Sequence, residues 1–194
     1  MSEAPADGGA PLVLVLNAGS TGLKASLQGR AGACLWRDQR RWQELGIDRG
    51  PAAAANGAAP AALADDLAPG SAAGEALAAW LDQAVAGLAG LSGAAGAPAL
   101  VAHRVVHGGE RFTAPTRLDP AVLEALEALT PLAPLHNGPA LALVRWARQR
   151  WPERPHWACF DTDVHADLPP ETRTYAIPAA WRRQGLRRLA IARC

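Results

Sequence analysis

Lysine is almost missing from this chain. Lys24 is the only one, and every other basic side chain among the 19 Lys+Arg is arginine. An excess of either charge is missing as well: those 19 face 18 Asp+Glu, for a formal charge of +1. No basic face argues for nucleic acid, and no acidic run argues for a basic partner. Cysteine is scarce. Cys34, Cys159 and Cys194 are odd in number and lack C-x-x-C or Cys/His ligand spacing, which argues against a disulfide framework or a structural zinc site. That usage fits a reducing cytoplasm. Long apolar runs are missing too, because charges, Gly and Pro interrupt the alanine-rich tracts before they could span a bilayer. The opening MSEAPADGGA is polar and acidic, unlike a secretory signal, and residues 1–10 are expected to form a disordered leader. The expectation is a cytoplasmic protein with neither nucleic acid nor membrane as partner.

What is present is organised around residues 11–27, PLVLVLNAGSTGLKASL. Five consecutive apolar residues, Leu12 to Leu16, have the length of a buried strand. They run into Asn17 and a Gly19-Ser20-Thr21-Gly22 turn, after which apolar and polar residues alternate as in a returning strand. The turn gathers backbone N–H groups, two hydroxyls, a carboxamide and the lone ammonium, which is what a phosphate needs. An ordinary hairpin with a polar turn reads the same residues equally well. A Walker-type phosphate loop does not fit, since only Ser20 and Thr21 separate Gly19 from Gly22 and a strand, not a helix, follows.

Further along, residues 33–43 offer a ragged strand through Leu35 and Trp36, and the Ala/Gly/Pro-rich residues 49–74 read as a poorly ordered insert or surface loop. From Gly74, Leu77, Trp80, Leu81, Ala84, Val85 and Leu88 recur at helical spacing. LVAHRVV at 100–106 reads as a strand, and Asp119-Pro120 as a helix start with a capping side chain and a pre-set first turn. PLAPLHNGP at 131–139 reads as a rigid connector, followed by a helix from about Pro139 to Arg150 and a short strand at 156–160. The C-terminal residues offer one more short strand, 174–177, and a Trp/Arg-rich helical turn. Strands alternating with helices predict an α/β fold with a mixed sheet.

Three further places carry chemistry. Arg104 lies inside an apolar strand, where a guanidinium is costly unless a carboxylate or anion meets it; a structural ion pair is one such answer. Asp161 and Asp163, in FDTDVH, follow a strand and suit Mg²⁺ or base chemistry, or simply cap the loop. His136 stands at a helix mouth, where imidazole and free N–H groups can meet a phosphate, though a histidine satisfied by local backbone is the more common reading; His103 and His165 read as histidines satisfied by local backbone.

Taken in order, NAGSTGLK, AHRVVHGGERF, PLAPLHN, FDTDVH and YAIPAAWRRQGLRR resemble the acetate kinase family across most of residues 12–188. The resemblance implies an actin-like, ribonuclease H-like ATPase domain with a mixed β-sheet and flanking helices, over residues 11–188. It implies a homodimeric phosphotransferase that moves the ATP γ-phosphoryl group to the carboxylate of acetate, reversibly, with Mg²⁺. Carried over by position, Asn17 matches an asparagine near phosphates and metal. Gly19, Ser20 and Lys24 match the ATP side, Arg104 the arginine that holds the substrate carboxylate, His136 the histidine at the transferring phosphoryl group, and Asp161 the catalytic aspartate.

Three departures stand beside the resemblance. Gly22 replaces a loop serine, and Asn137-Gly138-Pro139 replaces an Asn-Pro run beside His136. Residues 189–194 read as a tail outside the family, with the family's C-terminal domain not following, as a frameshift would produce. The expectation is therefore an N-terminal half with little activity alone. The alternative is a non-catalytic remnant, or one half of a split kinase, that binds phosphate only.

Overall fold

The computed structural model describes residues 11–19, 21–48, 60–88 and 97–162, with Ala180. The apolar run and the alternating stretch after the turn form β1 (Val13–Ala18) and β2 (Gly22–Gln28), paired antiparallel with Asn17 opposite Lys24. The ragged segment forms a third strand, β3 (Cys34–Arg41), antiparallel to β2. Its side chains are mostly exposed, as an edge strand allows, which is why its alternation was hard to see.

A short helix, α1 (Pro60–Asp66), and a longer one, α2 (Ala72–Gly87), precede β4 (Leu100–Val105). The first lies inside the stretch expected to be a loop, so that expectation is corrected. Alanine favours helix, and Leu63 and Leu67, one turn apart, are both fully buried or nearly so. Ser71 caps α2 by accepting the amide N–H of Gly74 at 3.0 Å, and the helix buries Leu77, Leu81 and Val85. After the two-residue β5 (Thr116–Arg117), α3 (Pro120–Ala128) starts as its sequence predicts, with Asp119 accepting the Val122 N–H at 2.8 Å.

The next helix, α4 (Pro134–Arg150), starts five residues before the predicted start and takes in part of the expected connector. Pro134 occupies the tolerated first turn, so it begins the helix instead of blocking it. Pro139 sits inside, where its only direct loss is the N–H bond to the carbonyl of Leu135, still in the opening turn. Burial of Ala140, Leu141, Leu143, Val144 and Ala147 outweighs that loss. The last strand, β6 (His156–Phe160), completes a six-stranded sheet in the order β3-β2-β1-β4-β6-β5.

In the centre of the sheet β1, β4 and β6 are parallel, and the outer strands are antiparallel to their neighbours. Alternate residues of β1, β2 and β4 (Leu14, Leu16, Leu23, Ala25, Leu27, Val101) join Leu77, Leu81, Leu143 and Trp146 of the helices in one core. A second cluster packs Val105, Ala158 and Phe160 against Leu126, Leu141 and Val144. The other residues of β1, including Val15 and Asn17, stay half-buried. Parallel strands end together, so the carboxyl ends of β1, β4 and β6 form one edge, where α/β sheets receive ligands. Among the described residues no helix is long and apolar enough to cross a membrane.

Candidate functional site

Asn17, Arg104 and Asp161 come from the ends of three different strands and meet at that edge. Arg104 donates from Nε to Asp161 Oδ1 at 2.8 Å and from Nη2 to Oδ2 at 2.5 Å, a two-point pairing of a planar fork with a carboxylate. Its Nη1 donates to Asn17 Oδ1 at 3.0 Å. The pair is partly buried, with Asp161 at 10 % side-chain exposure and Arg104 at 28 %, so the guanidinium still reaches solvent on one side. That answers the cost of a charge inside an apolar strand: the carboxylate that meets Arg104 is the protein's own.

On the solvent side lies a cleft of about 560 Å³ lined by Asn17, Gly19, Lys24, Arg41, Glu44 and Arg104, among others. Cross-strand register sets Asn17, Lys24 and Gln39 side by side on one face, so the lone lysine stands beside the Arg104 cluster. Lys24 is exposed, free to meet an anion from solvent.

The turn at its rim is held from a distance. Gly19 N–H bonds to Gly22 O at 2.8 Å, closing the hairpin. Buried Trp42 then donates its indole N–H to Gly19 O at 3.0 Å and its backbone N–H to Thr21 O at 3.2 Å. Gly22 explains one departure from the family string. A Cβ there would lie 2.2 Å from Arg40 O and 2.9 Å from Arg41 Cα, so no serine fits beside β3 as it runs here.

The loop after β4 is built with equal care. Asn137, fully buried, accepts the backbone N–H of His107 at 3.0 Å and donates to its carbonyl at 2.9 Å. Gly108 N–H bonds to Thr162 Oγ1 at 3.0 Å, tying the loop to the end of β6. Gly109 adopts φ +65° and gives its N–H to His107 Nδ1 at 2.9 Å. The neutral His107 ring therefore carries its proton on Nε2, which is buried without a hydrogen-bond partner among the described residues, and burial lowers its pKa.

His103 is buried in the core, but not satisfied by local backbone as expected: its partner is a side chain 53 residues away, and its Nδ1 has no hydrogen-bond partner among the described residues. The ring stacks on His156 at 5.4 Å between ring centroids and shares a 3.1 Å hydrogen bond with it. The Trp151 carbonyl only accepts, so His156 donates to it from Nε2 and offers Nδ1 to the Nε2–H of His103. Burial first, and the neighbouring His156 second, lower the His103 pKa to about 3.

Of the residues singled out from the sequence, the cleft gathers Asn17, Gly19, Lys24 and Arg104, with Asp161 reached through Arg104. His136 is half-buried in the first turn of α4, next to the clamp residue Asn137, and does not line the cleft. Ser20, Asp163, His165 and the strand expected at 174–177 lie outside the described residues, as do residues 1–10 and 49–59. Trp42, Asn137 and Thr162 escaped sequence reading: each acts on a loop 20 or more residues away, and nothing local marks it.

The donor set suits a phosphate anion, with an ammonium and arginines around one opening. Asn17 Oδ1 and both Asp161 oxygens accept from Arg104 and each keeps a lone pair, which suits the one or two protein oxygens that a nucleotide-borne magnesium takes; among the described residues no group of three or more His, Cys, Asp or Glu could hold a metal by itself.

The sequence model of the acetokinase family matches residues 12–192. The chain belongs to the acetokinase family. The match takes in residues 189–192, four of the six set apart above as a tail. An acetate kinase of Deinococcus radiodurans is 52 % identical over 89 residues, which are 45 % of this chain and 22 % of that protein. One from Pseudomonas aeruginosa is 49 % identical over 89 residues, 45 % of this chain and 23 % of its own length. Among solved structures, acetate kinase of Porphyromonas gingivalis is similar with TM-score 0.67 and 25 % identity, over 94 % of this chain and 45 % of that one. Acetate kinase of Entamoeba histolytica gives TM-score 0.60 and 21 % identity, over 93 % of this chain and 42 % of that one. The chain thus spans less than half the length of the kinases it matches. For an acetokinase the mixed sheet with flanking helices is the actin-like fold predicted from the sequence.

Proposed function

We propose that this chain forms one wall of a phosphoryl-transfer site that moves the γ-phosphoryl group of ATP to the carboxylate of acetate or a similar short acid. In that reaction a carboxylate oxygen bonds to the γ-phosphorus while the bond to the β–γ bridging oxygen breaks and ADP leaves. Such chemistry asks a protein chiefly for positioning and charge neutralisation. The observation that carries the reading is Lys24 and the Arg104–Asp161–Asn17 cluster sharing one cleft, in a chain of the acetokinase family.

Each residue then has a task. Lys24, Gly19 and Ser20 meet phosphate oxygens, Arg104 orients the acceptor carboxylate, and Asp161 holds Arg104 in the plane that does so. His136 is assigned to the transferring group by the family resemblance alone, since it does not line the cleft. ATP would enter as its magnesium complex, for which Asn17 and Asp161 offer the protein oxygens. Cytoplasmic location and a dimeric assembly belong to the same proposal.

One observation favours a second reading, a chain that binds phosphate without transferring it. Arg104 already has its fork closed on Asp161, so an incoming carboxylate must displace Asp161 to be held at two points.

Calorimetric titration with ATP, and acetyl phosphate formation from ATP and acetate, test the two readings together. Lys24→Ala is expected to weaken ATP binding by about tenfold, the worth of one charge-assisted contact. Unchanged binding in Lys24→Ala would sink the proposal. Nucleotide binding without any effect of acetate would favour the second reading over the first.

A further inference from the structure

The approach of strands that forbids a side chain at position 22 also decides what stands opposite it. Register pairs Gly22 with Arg41, and Lys24 with Gln39. Side chains alternate across a strand, so Arg41 shares its face with Gln39 and Lys24, and the space over Gly22 is left to it. Arg41, Lys24 and Gln39 all line the cleft. Arg40, one residue earlier, also borders the cleft, but its guanidinium is held on the other face, 5.7 Å over the Trp80 ring and 3.4 Å from Asp38.

Arg41 has no such anchor. It is exposed, and none of the ion pairs among the described residues uses it. Two carboxylates stand three residues away: Asp38 pairs with Arg40, and Glu44 accepts the backbone N–H of Arg41 at 2.9 Å, which starts the short 3₁₀ turn at Trp42–Leu45. The cleft therefore has a long, uncommitted cation at the rim, next to the one lysine and across from the glycine that lacks a hydroxyl.

We infer that Arg41 is a further anion-binding residue of this cleft, which reaches over Gly22 to the polyphosphate of the nucleotide and takes the place of the missing loop hydroxyl. The inference rests on the phosphoryl-transfer reading of the cleft and adds a residue that the sequence comparison did not assign. Arg suits the task because its planar fork meets two phosphate oxygens at once, on a stem long enough to span an empty position.

The test uses pyrophosphate and ATP as separate probes, titrated calorimetrically into the wild-type chain and into Arg41→Ala, Arg41→Gln, Arg37→Ala and Lys24→Ala. Arg37 is the control. It is exposed on the same strand and face, opposite Ser26, and does not line the cleft, so removing it changes the net charge equally. Circular dichroism before titration confirms folding, which both Arg41 variants should retain since the bond to Glu44 comes from the backbone.

Arg41→Ala and Arg41→Gln should weaken both probes by about tenfold or more, and Arg37→Ala by less than about twofold. Equal losses in Arg41→Ala and Arg37→Ala would mean a general field effect and would overturn the inference. So would wild-type binding in Arg41→Ala alongside loss in Lys24→Ala, and in that case the reading of the cleft itself survives. A loss confined to ATP would place Arg41 on the nucleoside, not the phosphates, and would also overturn it. If the wild-type chain binds neither probe, the phosphoryl-transfer reading fails and takes this inference with it.

Discussion

Removing the side chain of Asn137 tests how the loop after β4 is held. Asn137 is fully buried and serves both polar groups of the His107 peptide, N–H at 3.0 Å and C=O at 2.9 Å. Asn137→Ala leaves two backbone groups in a site with no other partner shown for them. An orphaned buried donor or acceptor costs about 1–3 kcal/mol, so the pair amounts to about 2–6 kcal/mol. In a domain of this size that lowers Tm by roughly 10 °C. Urea unfolding measures the energy. Hydrogen exchange locates it: the amides of His107 and Gly108 should exchange faster, while those of the β1–β2 ladder should follow only the global change. Asn137→Asp is the harder variant, since it keeps an acceptor for the N–H but buries a carboxylate against a carbonyl. A loss below about 0.5 kcal/mol in Asn137→Ala, with exchange at His107 unchanged, would refute the account of the clamp.

Two further outcomes follow from the same geometry. His103, with its pKa lowered to about 3, stays neutral in the folded chain while the unfolded chain takes up a proton below about 6.5. Stability should therefore fall as pH drops from about 6.5 towards 3, by about 1.4 kcal/mol per pH unit from His103, and His107 and His156 act in the same direction. Denaturation at several pH values checks this, and a slope unchanged by His103→Leu would count against the buried pair as its source. Gly22→Ser should destabilise by about 1–3 kcal/mol or more through overlap with Arg40 O, whereas Gly19→Ala, whose Cβ would meet only Gly22 O at 3.4 Å, should cost less in thermal unfolding. Equal melting points for the two variants would argue against the close approach of β2 and β3.

Much of the fold was legible because its signals are local. The five apolar residues before Asn17, the alternation after Gly22, the stripe from Leu77 to Val85 and the Asp119-Pro120 start all act within a few residues, and each element formed where it was read. The failures were local signals overruled by burial. Alanine, proline and acids between 60 and 66 read as loop in the sequence, yet Leu63 and Leu67 find a core, and Pro134 reads as a break but starts a helix.

The candidate site divides along the same line. By itself the sequence determined the chemical types available, one lysine beside a glycine turn, an arginine in an apolar strand and an aspartate at a strand end, because residue type and short-range pattern need no fold. Only the tertiary structure decided that Asn17, Arg104 and Asp161 are one hydrogen-bonded cluster, since parallel strands 87 and 57 residues apart must first be brought into register. It also decided that Trp42 holds the turn, that Asn137 holds the loop, and that Gly22 leaves room for Arg41. Those assignments depend on contacts across the sheet, and no window along the chain contains both partners.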